Sequence, residues 1–507
     1  MTENESKAGR EVRETYLFWS CFIALIATAF GFIVRTQIIN EWGVEFNLSE
    51  TQKGEILGAG LWPFAITIVL FSLIIDKIGY GRAMVFAFVC HVSSAIITIS
   101  AKNYETLYLG TFIAALGNGT VEAVINPVVV TMFKKQKVKW LNILHAGWPG
   151  GLVLGGVIAL GMGDTDWKFK VSLILIPTIA YGVMMFRQAF PVHERVEAGV
   201  SYLDMLKEVG VLGALIIVWL MTSEVGRVLG VPTLVQIAII VVVVGAYGAY
   251  VRTLGRPLFV ILLLIMLPLA TTELGTDSWI TDLLMPEMEG LGFHAGWVLI
   301  YTSFIMMVLR FSAGAIVHRV APLTLLALSS AIAIVGLTSL SMSTGIVIFV
   351  AATIYGIGKS FFWPTMLGVV AEQFPKGGAL TINTIAGVGM LGVGIVGSAF
   401  LGVIQDKEIA GALLDEHPEL HAQVIGEEQS SVLGPYQAID AQKVEETSEE
   451  SKEVVAAISA DAKKSALFTV AIFPVIMLIS YILLILYFRS KGGYTVVSLE
   501  PAAAQNE

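Results

Sequence analysis

The sequence predicts an all-α protein that crosses a membrane many times. Of its 507 residues, 56% are hydrophobic and 14% are charged, whereas about a quarter of the residues of a soluble protein are charged. The mean hydropathy is +0.78. A spanning helix needs about 20 apolar residues, and the apolar runs are long enough for at least twelve such helices. A soluble globular protein is therefore excluded.

The apolar runs fall into two sets of six. The first set covers residues 16–40, 55–75, 83–101, 107–133, 141–162 and 171–190. The second set covers residues 258–284, 297–317, 323–340, 346–371, 380–404 and 466–488. Two more apolar runs, 209–222 and 234–251, lie between the sets. We predict fourteen spans, with twelve spans plus a re-entrant or surface pair as the alternative.

This pattern divides the chain into four parts. Residues 1–190 form an amino-terminal six-helix bundle, and 191–256 form a linker with two additional apolar helices. Residues 257–488 form a carboxy-terminal six-helix bundle that includes a long acidic extracytoplasmic loop at 405–464, and 489–507 form a cytoplasmic tail. The loop holds 14 acidic and 5 basic residues. It predicts a solvated, partly helical connector, with a lid over the entrance as the alternative.

The distribution of basic residues predicts the orientation. Lys and Arg are concentrated in the segments that lie on the same side as both chain ends, as in the run Lys134, Lys135, Lys137 and Lys139. Cytoplasmic loops collect such residues, so both termini are expected to be cytoplasmic. The first apolar run is too long for a signal-peptide core and lacks a small-residue cleavage site, so it predicts an uncleaved anchor.

The two halves repeat a motif within their fourth helices. The first half carries Glu122-x-x-x-x-Pro127 and the second carries Lys359-x-x-x-x-Pro364, each with a glycine three residues before the charge. The spacing is identical and the charges are opposite. Internal repeats of six helices are typical of transporters that rock one bundle against the other.

The loops after the second and eighth helices also correspond to each other. Together with the nearby intramembrane Arg310, they supply the residues of a predicted conformational gate: Asp76, Lys77, Gly79, Arg82, Arg310, His318 and Arg319.

Charges inside spans are informative because each costs about 2.5 to 3.5 kcal/mol at the bilayer centre. Lys359 lies near the midpoint of its span, and Glu122 lies within about one turn of the midpoint of its own. We hypothesise that Glu122 and Lys359 face one cavity, pair in at least one conformation and couple transport to protons. The alternative is that they only hold the two halves together.

Other polar and aromatic residues in the spans are candidates for a substrate cavity. They are Arg35, Asn126, Asn142, His145, Trp148, Glu273, Asp277 and Trp363. Structural roles are open for each: Arg35 could snorkel to the surface, and Glu273 and Asp277, one turn apart, could form a gate salt bridge.

Several function classes find little support. No catalytic constellation lies near a membrane surface, no histidine cluster suggests a metal site, and no basic stripe suggests nucleic acid. We therefore expect no enzymatic activity and no cofactor. The expected partners are a small-molecule substrate, protons and the lipid bilayer.

The loop from Asp76 to Arg82 resembles the signature between the second and third helices of the major facilitator superfamily. Within it, the chain is most similar to the fucose–proton symporter family. This likeness is carried by five motifs: Glu122-Ala-Val-Ile-Asn126-Pro127, Leu141-Asn142 with Gly151, Arg310-Phe311 through Arg319-x-x-Pro322, Trp363-Pro364-Thr365, and Gly402-x-x-x-Asp406. The resemblance implies two six-helix bundles related by a pseudo-twofold axis, and a role for Glu122 in proton-coupled sugar transport.

The predicted function is secondary active transport of a small polar solute, with a sugar as the leading candidate, by proton symport and alternating access. The first alternative is a carrier of an organic anion or sugar acid held by Lys359 and Arg35. The second is a membrane sensor that does not transport. We expect a monomer in the plasma membrane, with the bacterial inner membrane as the leading location.

Overall fold

The computed structural model describes residues 3–48, 50–163, 165–284, 288, 290–294, 296–431 and 434–499. Residues 500–507 of the predicted tail lie outside the described residues. Among those described, thirteen helical segments are long and apolar enough to cross a membrane. A further apolar helix, Gly296–Phe311, is shorter than these thirteen.

The first half contains nine helices that make six of these segments. They are α1 Glu3–Glu45, α2 Glu50–Gly58, α3 Trp62–Ile78, α4 Tyr80–Ile99, α5 Tyr104–Met132, α6 Lys137–His145, α7 Gly147–Gly161, α8 Trp167–Ser172 and α9 Leu175–Met185. Three of the predicted single spans are thus interrupted: α2 with α3, α6 with α7, and α8 with α9.

The linker contains one short helix and two long ones. They are α10 Glu194–Glu197, α11 Tyr202–Leu229 and α12 Thr233–Val251. The last two pack against each other, and both are long and apolar enough to span. Gly210 in α11 has φ +63°, and a Cβ there would lie 2.1 Å from the nitrogen of Gly255. Only glycine permits this backbone contact between the start of α11 and the segment that follows α12.

The second half contains the following helices up to the acidic loop. They are α13 Pro257–Ala270, a π-helical turn Thr271–Gly275, α14 Thr276–Leu283, α15 Gly296–Phe311, α16 Ala313–Val317, α17 Pro322–Met342, α18 Val347–Lys359, α19 Phe362–Gln373, a 3₁₀ turn Pro375–Gly377, α20 Gly378–Gly392 and a second π-helical turn Val393–Gly397.

The predicted acidic connector is a small folded unit. It consists of α21 Ser398–Glu416, α22 Pro418–Val424, β1 Ile425–Ser431, β2 Gly434–Ile439, α23 Ala441–Glu445 and α24 Glu449–Val470, and the chain then continues into α25 Ile472–Ser490. The two strands are antiparallel. A cluster of buried apolar side chains, including Leu413, Val424 and Val455, holds the helices together. The expected helical content is present, and the segment also has a two-stranded sheet and an apolar cluster of its own.

The two halves contact each other along several helix pairs. Helix α3 packs against α20, α6 against α19, and α7 against α15. Small residues allow the close approach: a Cβ on Gly368 would lie 2.6 Å from the side chain of Val138. These contacts surround the charged residues of the interior.

Candidate functional site: a cavity between the two halves

Three prolines determine where backbone carbonyl groups become available in the interior. Proline has no N–H, so the carbonyl group four residues earlier loses its helical partner. Pro127 lies within α5, Pro149 follows the break between α6 and α7, and Pro364 follows the break between α18 and α19. The carbonyl groups left free are those of Ala123, His145 and Ser360.

Side chains donate hydrogen bonds to all three of these carbonyl groups. Asn383 Nδ2 donates to Ala123 O at 3.0 Å. Arg310 Nη1 donates to His145 O at 2.9 Å, and Arg310 Nε donates to Ser360 O at 2.7 Å. Arg310 therefore bonds a helix break in the first half and another in the second half, and it ties the two halves together.

Glu273 completes this arrangement. Its carboxylate accepts from Arg310 Nη2 at 2.6 Å and from the backbone N–H of Trp363 at 2.9 Å. It thus caps the start of α19, where unpaired N–H groups favour a negative charge. The side chains of Arg310 and Glu273 are 1% and 2% exposed. A buried pair is stable only when further hydrogen bonds satisfy both ions, and the helix break supplies them.

Lys359 belongs to a second ion pair. Its Nζ donates to the carboxylate of Asp277, lies 3.4 Å from Thr302 Oγ1 and lies 5.1 Å from the ring centroid of Tyr355. The expected pair between Glu122 and Lys359 is therefore not formed in this conformation. Asp277 reaches Lys359 from within the same half of the chain, and the lysine takes this nearer carboxylate.

Glu122 instead belongs to a chain of hydrogen bonds that includes Asn126 and His145. Asn126 Nδ2 donates to Glu122 Oε2 at 2.6 Å, and Asn126 Oδ1 lies 2.9 Å from His145 Nε2. Glu122 is 4% exposed. Within the described part of the chain it makes no ion pair, although Arg310 lines the same cavity.

One cavity brings many of the predicted site residues together. The space between its atoms, counted together with the open space at its mouth, is about 330 Å³. The lining residues are Glu122, His145, Trp148, Glu273, Arg310 and Trp363, with Phe64, Leu274 and Met390 completing the wall. Aromatic faces surround a few convergent polar groups, which is the composition of a small-molecule site. The central cavity, as we call it, lies between the two halves.

The remaining predicted cavity residues lie elsewhere. Asn126 sits behind Glu122, and Asn142 donates to Thr365 Oγ1 at 3.2 Å across the contact between α6 and α19. Asp277 lies with Lys359. Arg35 does not snorkel to the surface, because it is 6% exposed and lines a second cavity.

The predicted gate residues have different surroundings. Asp76 forms an ion pair with Arg195 of the linker helix α10. Lys77 lies 5.1 Å from the ring centroid of Tyr202, and Gly79 has φ +83° at the turn between α3 and α4. Arg82, His318 and Arg319 are exposed. Arg310 lies in the interior, as described above.

His193 beside this gate is a buried titratable group. Its Nδ1 accepts from the backbone N–H of Arg195 at 3.1 Å. Burial, followed by the charges of Lys137, Arg195 and Lys134, lowers the pKa of His193 to about 3. The imidazole is therefore neutral at physiological pH.

Two groups of functional candidates were missed from the sequence. Asn383 is a single amide in an apolar span, and its polarity alone could have marked it. Phe64, Leu274 and Met390 line the central cavity, but they are apolar residues in apolar helices and nothing in their spacing distinguishes them.

The fold and the cavity between its halves define a multi-pass membrane transporter. The family model of the Major Facilitator Superfamily matches residues 17–399, and the chain belongs to that superfamily. Its members are transporters of small molecules.

Several solved structures share the fold. The proton:xylose symporter XylE bound to 6-bromo-6-deoxy-D-glucose has a TM-score of 0.61 at 13% identity, and the match covers 98% of this chain and 100% of that one. The fucose symporter FucP in its outward conformation has 0.56 at 14%, covering 92% and 99%. The human organic anion transporter MFSD10 has 0.57 at 10%, covering 92% and 99%. At these identities the likeness shows the fold and leaves the substrate open.

Proposed function

We propose that the protein is a proton-coupled symporter of a small polar solute with a sugar-like body. The observation that carries the proposal is the buried Glu122, which lines the central cavity and forms no ion pair among the described residues. An isolated carboxylate is costly to bury, and the cost is removed when the group binds a proton. Glu122 is thus the proposed proton-binding residue.

The charged residues of the central cavity favour binding of an uncharged part of the solute. The positive charge of Arg310 is balanced by the negative charge of Glu273, and a protonated Glu122 adds no further charge. Trp148 and Trp363 offer flat apolar faces, and Glu122 and His145 offer hydrogen-bonding groups. A hydroxyl-bearing ring can use both kinds of surface.

Arg310 gives a physical route from proton binding to a change of conformation. Its bond to His145 O must break when the halves separate on that side. A charged Glu122 competes with Glu273 for the guanidinium, whereas a protonated one does not. Proton and solute then need only favour the same arrangement of the halves for coupling to result.

The decisive experiment measures uptake into proteoliposomes with and without an inward proton gradient. A panel of neutral sugars and their acid counterparts would serve as solutes. We expect gradient-driven uptake by the wild type, and we expect a Glu122→Gln variant to lose the dependence on the gradient. Glu105→Gln, on an exposed residue at the start of the same helix, is the matched control. Gradient-driven uptake by Glu122→Gln would refute the role of Glu122.

An organic anion carrier is the second candidate. Lys359 is already neutralised by Asp277, which disfavours it as an anion ligand in this conformation. Arg35 has no such partner among the described residues. We further propose that the protein acts as a monomer in a plasma membrane, with both termini on the cytoplasmic side.

A further inference from the structure

A second cavity lies beside the central one. The space between its atoms, counted together with the open space at its mouth, is about 310 Å³. The lining residues are Phe32, Arg35, Thr36, Leu57, Gly60, Thr111, Ala114 and Asn118. Arg35 is the one charged residue in this lining. We call it the arginine cavity.

The two cavities follow the same chain segments. Asn118 lines the arginine cavity and Glu122, one turn later on α5, lines the central cavity. On the neighbouring segment, Gly60 lines the arginine cavity and Phe64, four residues later, lines the central cavity. One helical turn rises about 5.4 Å, so the two cavities are adjacent. The rings of Phe32 and Trp148, with centroids 5.9 Å apart, lie between them.

Arg35 is buried without a compensating charge. It is 6% exposed, and Nη1 and Nη2 donate to Gly31 O at 2.9 Å and to Ser94 Oγ at 2.8 Å. A guanidinium carries five N–H groups. Nε finds no acceptor among the described residues, and no carboxylate of that part of the chain pairs with Arg35.

A hydrogen-bond chain orients a further donor toward the same cavity. Tyr181 O–H lies 3.0 Å from His91 Nδ1, and His91 Nε2 lies 2.9 Å from Asn118 Oδ1. If the tyrosine donates to Nδ1, the N–H of the imidazole is on Nε2 and donates to Asn118 Oδ1. The side-chain NH₂ group of Asn118 can then donate a hydrogen bond to a molecule in the arginine cavity. The other buried lysine and arginine side chains that the structure describes all form ion pairs, so Arg35 is the exception among them.

We propose that the arginine cavity is a binding site for a small monoanion, held by the guanidinium of Arg35 and the amide of Asn118. A buried cation is stable when an anion neutralises it, and arginine matches the planar geometry of a carboxylate. The anion has two possible sources: a carboxylate carried by the transported solute, or an inorganic anion such as chloride. For the first source, the site deepens the proposed function, because the substrate is then a sugar acid whose body reaches the central cavity past Phe32 and Trp148.

The test is the thermal stability of the full-length protein purified in detergent. Glucuronate, glucose and sodium chloride would be titrated separately at constant ionic strength. Stabilisation by glucuronate, with none from glucose or chloride, assigns the site to a carboxylate. Stabilisation by chloride as well assigns it to inorganic anions. Either result supports the anion site, and no stabilisation by either anion overturns it.

Variants locate the effect. We expect Arg35→Gln to weaken binding of the stabilising anion by about tenfold or more, since hydrogen bonds to charged groups are the strong ones. Asn118→Asp keeps the arginine and adds a carboxylate to the cavity, so it should abolish anion binding while the protein stays folded. Lys102→Gln, on an exposed lysine, is the control and should bind like the wild type. Unchanged binding in both cavity variants would refute the proposal.

Uptake measurements separate this inference from the proposed function. Proton-driven uptake of a neutral sugar, with no stabilisation by any anion, would refute the anion site and leave the symporter intact. Anion binding that depends on Arg35, without proton-driven uptake of any solute, would refute the symporter and leave the site.

Discussion

Asn383 in the second half donates to the carbonyl oxygen of Ala123 in the first half, at 3.0 Å. Pro127, four residues after Ala123, cannot donate to that oxygen. The helix α5 nevertheless continues through Pro127, because the freed acceptor is satisfied by another helix. Proline is tolerated in spanning helices on this condition, and the bond joins the two halves at their interface.

This relationship predicts a rescue between two positions. Asn383→Val leaves the buried oxygen of Ala123 without a donor and should destabilise the protein by about 1–3 kcal/mol. Pro127→Ala restores the helical N–H, so the double variant should recover most of the loss. Thermal unfolding in detergent would measure the three variants. Equal losses in Asn383→Val and in the double variant would show that the bond does not matter.

The buried pair of Arg310 and Glu273 predicts strong non-additivity. Arg310→Met or Glu273→Gln leaves one buried partner unmatched and should cost about 3–5 kcal/mol. The double variant should lose much less than the sum of the two, because no unpaired charge remains. A double-mutant cycle on unfolding free energies provides the test. Additive losses would mean that the two side chains act independently of each other.

Uptake by the same double variant tests whether Arg310 is needed for transport as well as for stability. The double variant no longer ties His145 O to Ser360 O across the two halves. We therefore expect it to bind solute but to lose gradient-driven uptake. Wild-type uptake by a stable double variant would remove Arg310 from the proposed coupling.

The helices and the superfamily could be predicted from the sequence because both depend on local signals. Apolar runs set the number of spans, and the cost of intramembrane charge marked Glu122, Glu273 and Arg310. All three line the central cavity. Trp148 and Trp363, which lie beside helix-breaking prolines, line the same cavity.

The pairing of the charges could not be predicted in the same way. Glu122 and Lys359 occupy equivalent positions in the repeat, which suggested that they face each other. The structure instead pairs Lys359 with Asp277. The repeat determines only where the two charges lie in the sequence. The partner of Lys359 is Asp277, which lies two residues after the π-helical turn Thr271–Gly275. Such a turn has no sequence signature.

The fold of the acidic segment was likewise beyond the sequence. Its apolar cluster is formed by residues far apart in the chain, such as Leu413 and Val455. Leu413 and Val455 each lie in a short apolar run, 409–414 and 454–458. Local composition therefore predicted a partly helical connector, but it could not show which of these runs pack against each other. The cluster becomes visible only once α21 and α24 are packed together.

The pair of Lys359 and Asp277 gives a third prediction. Lys359→Met alone should be poorly folded, because Asp277 remains buried and unpaired. Adding Asp277→Asn should restore folding. Since Lys359 does not line the central cavity, we expect the double variant to keep gradient-driven uptake. Lys452→Met, which removes a partly exposed lysine paired with Glu449 in the acidic loop, is the control.

The coupling role predicted for Lys359 is tested by the same double variant. Uptake that no longer follows the proton gradient, in a protein that folds normally, would return Lys359 and Asp277 to the coupling mechanism. It would also favour a conformation in which Lys359 leaves Asp277 for Glu122.

His193 predicts how stability depends on pH. Its pKa is about 3 in the folded protein, against 6.5 as its ordinary value. Between these values the unfolded chain binds more protons than the folded protein. The contribution of His193 is therefore complete above about pH 6.5 and is lost as the pH falls toward 3. We expect His193→Asn, whose side-chain oxygen can still accept from Arg195 N–H, to lose less thermal stability than the wild type between neutral pH and about pH 5. His417→Gln, which changes an exposed histidine, should follow the wild type. If His193→Asn and the wild type lose stability equally, the buried imidazole is not what makes the protein sensitive to acid.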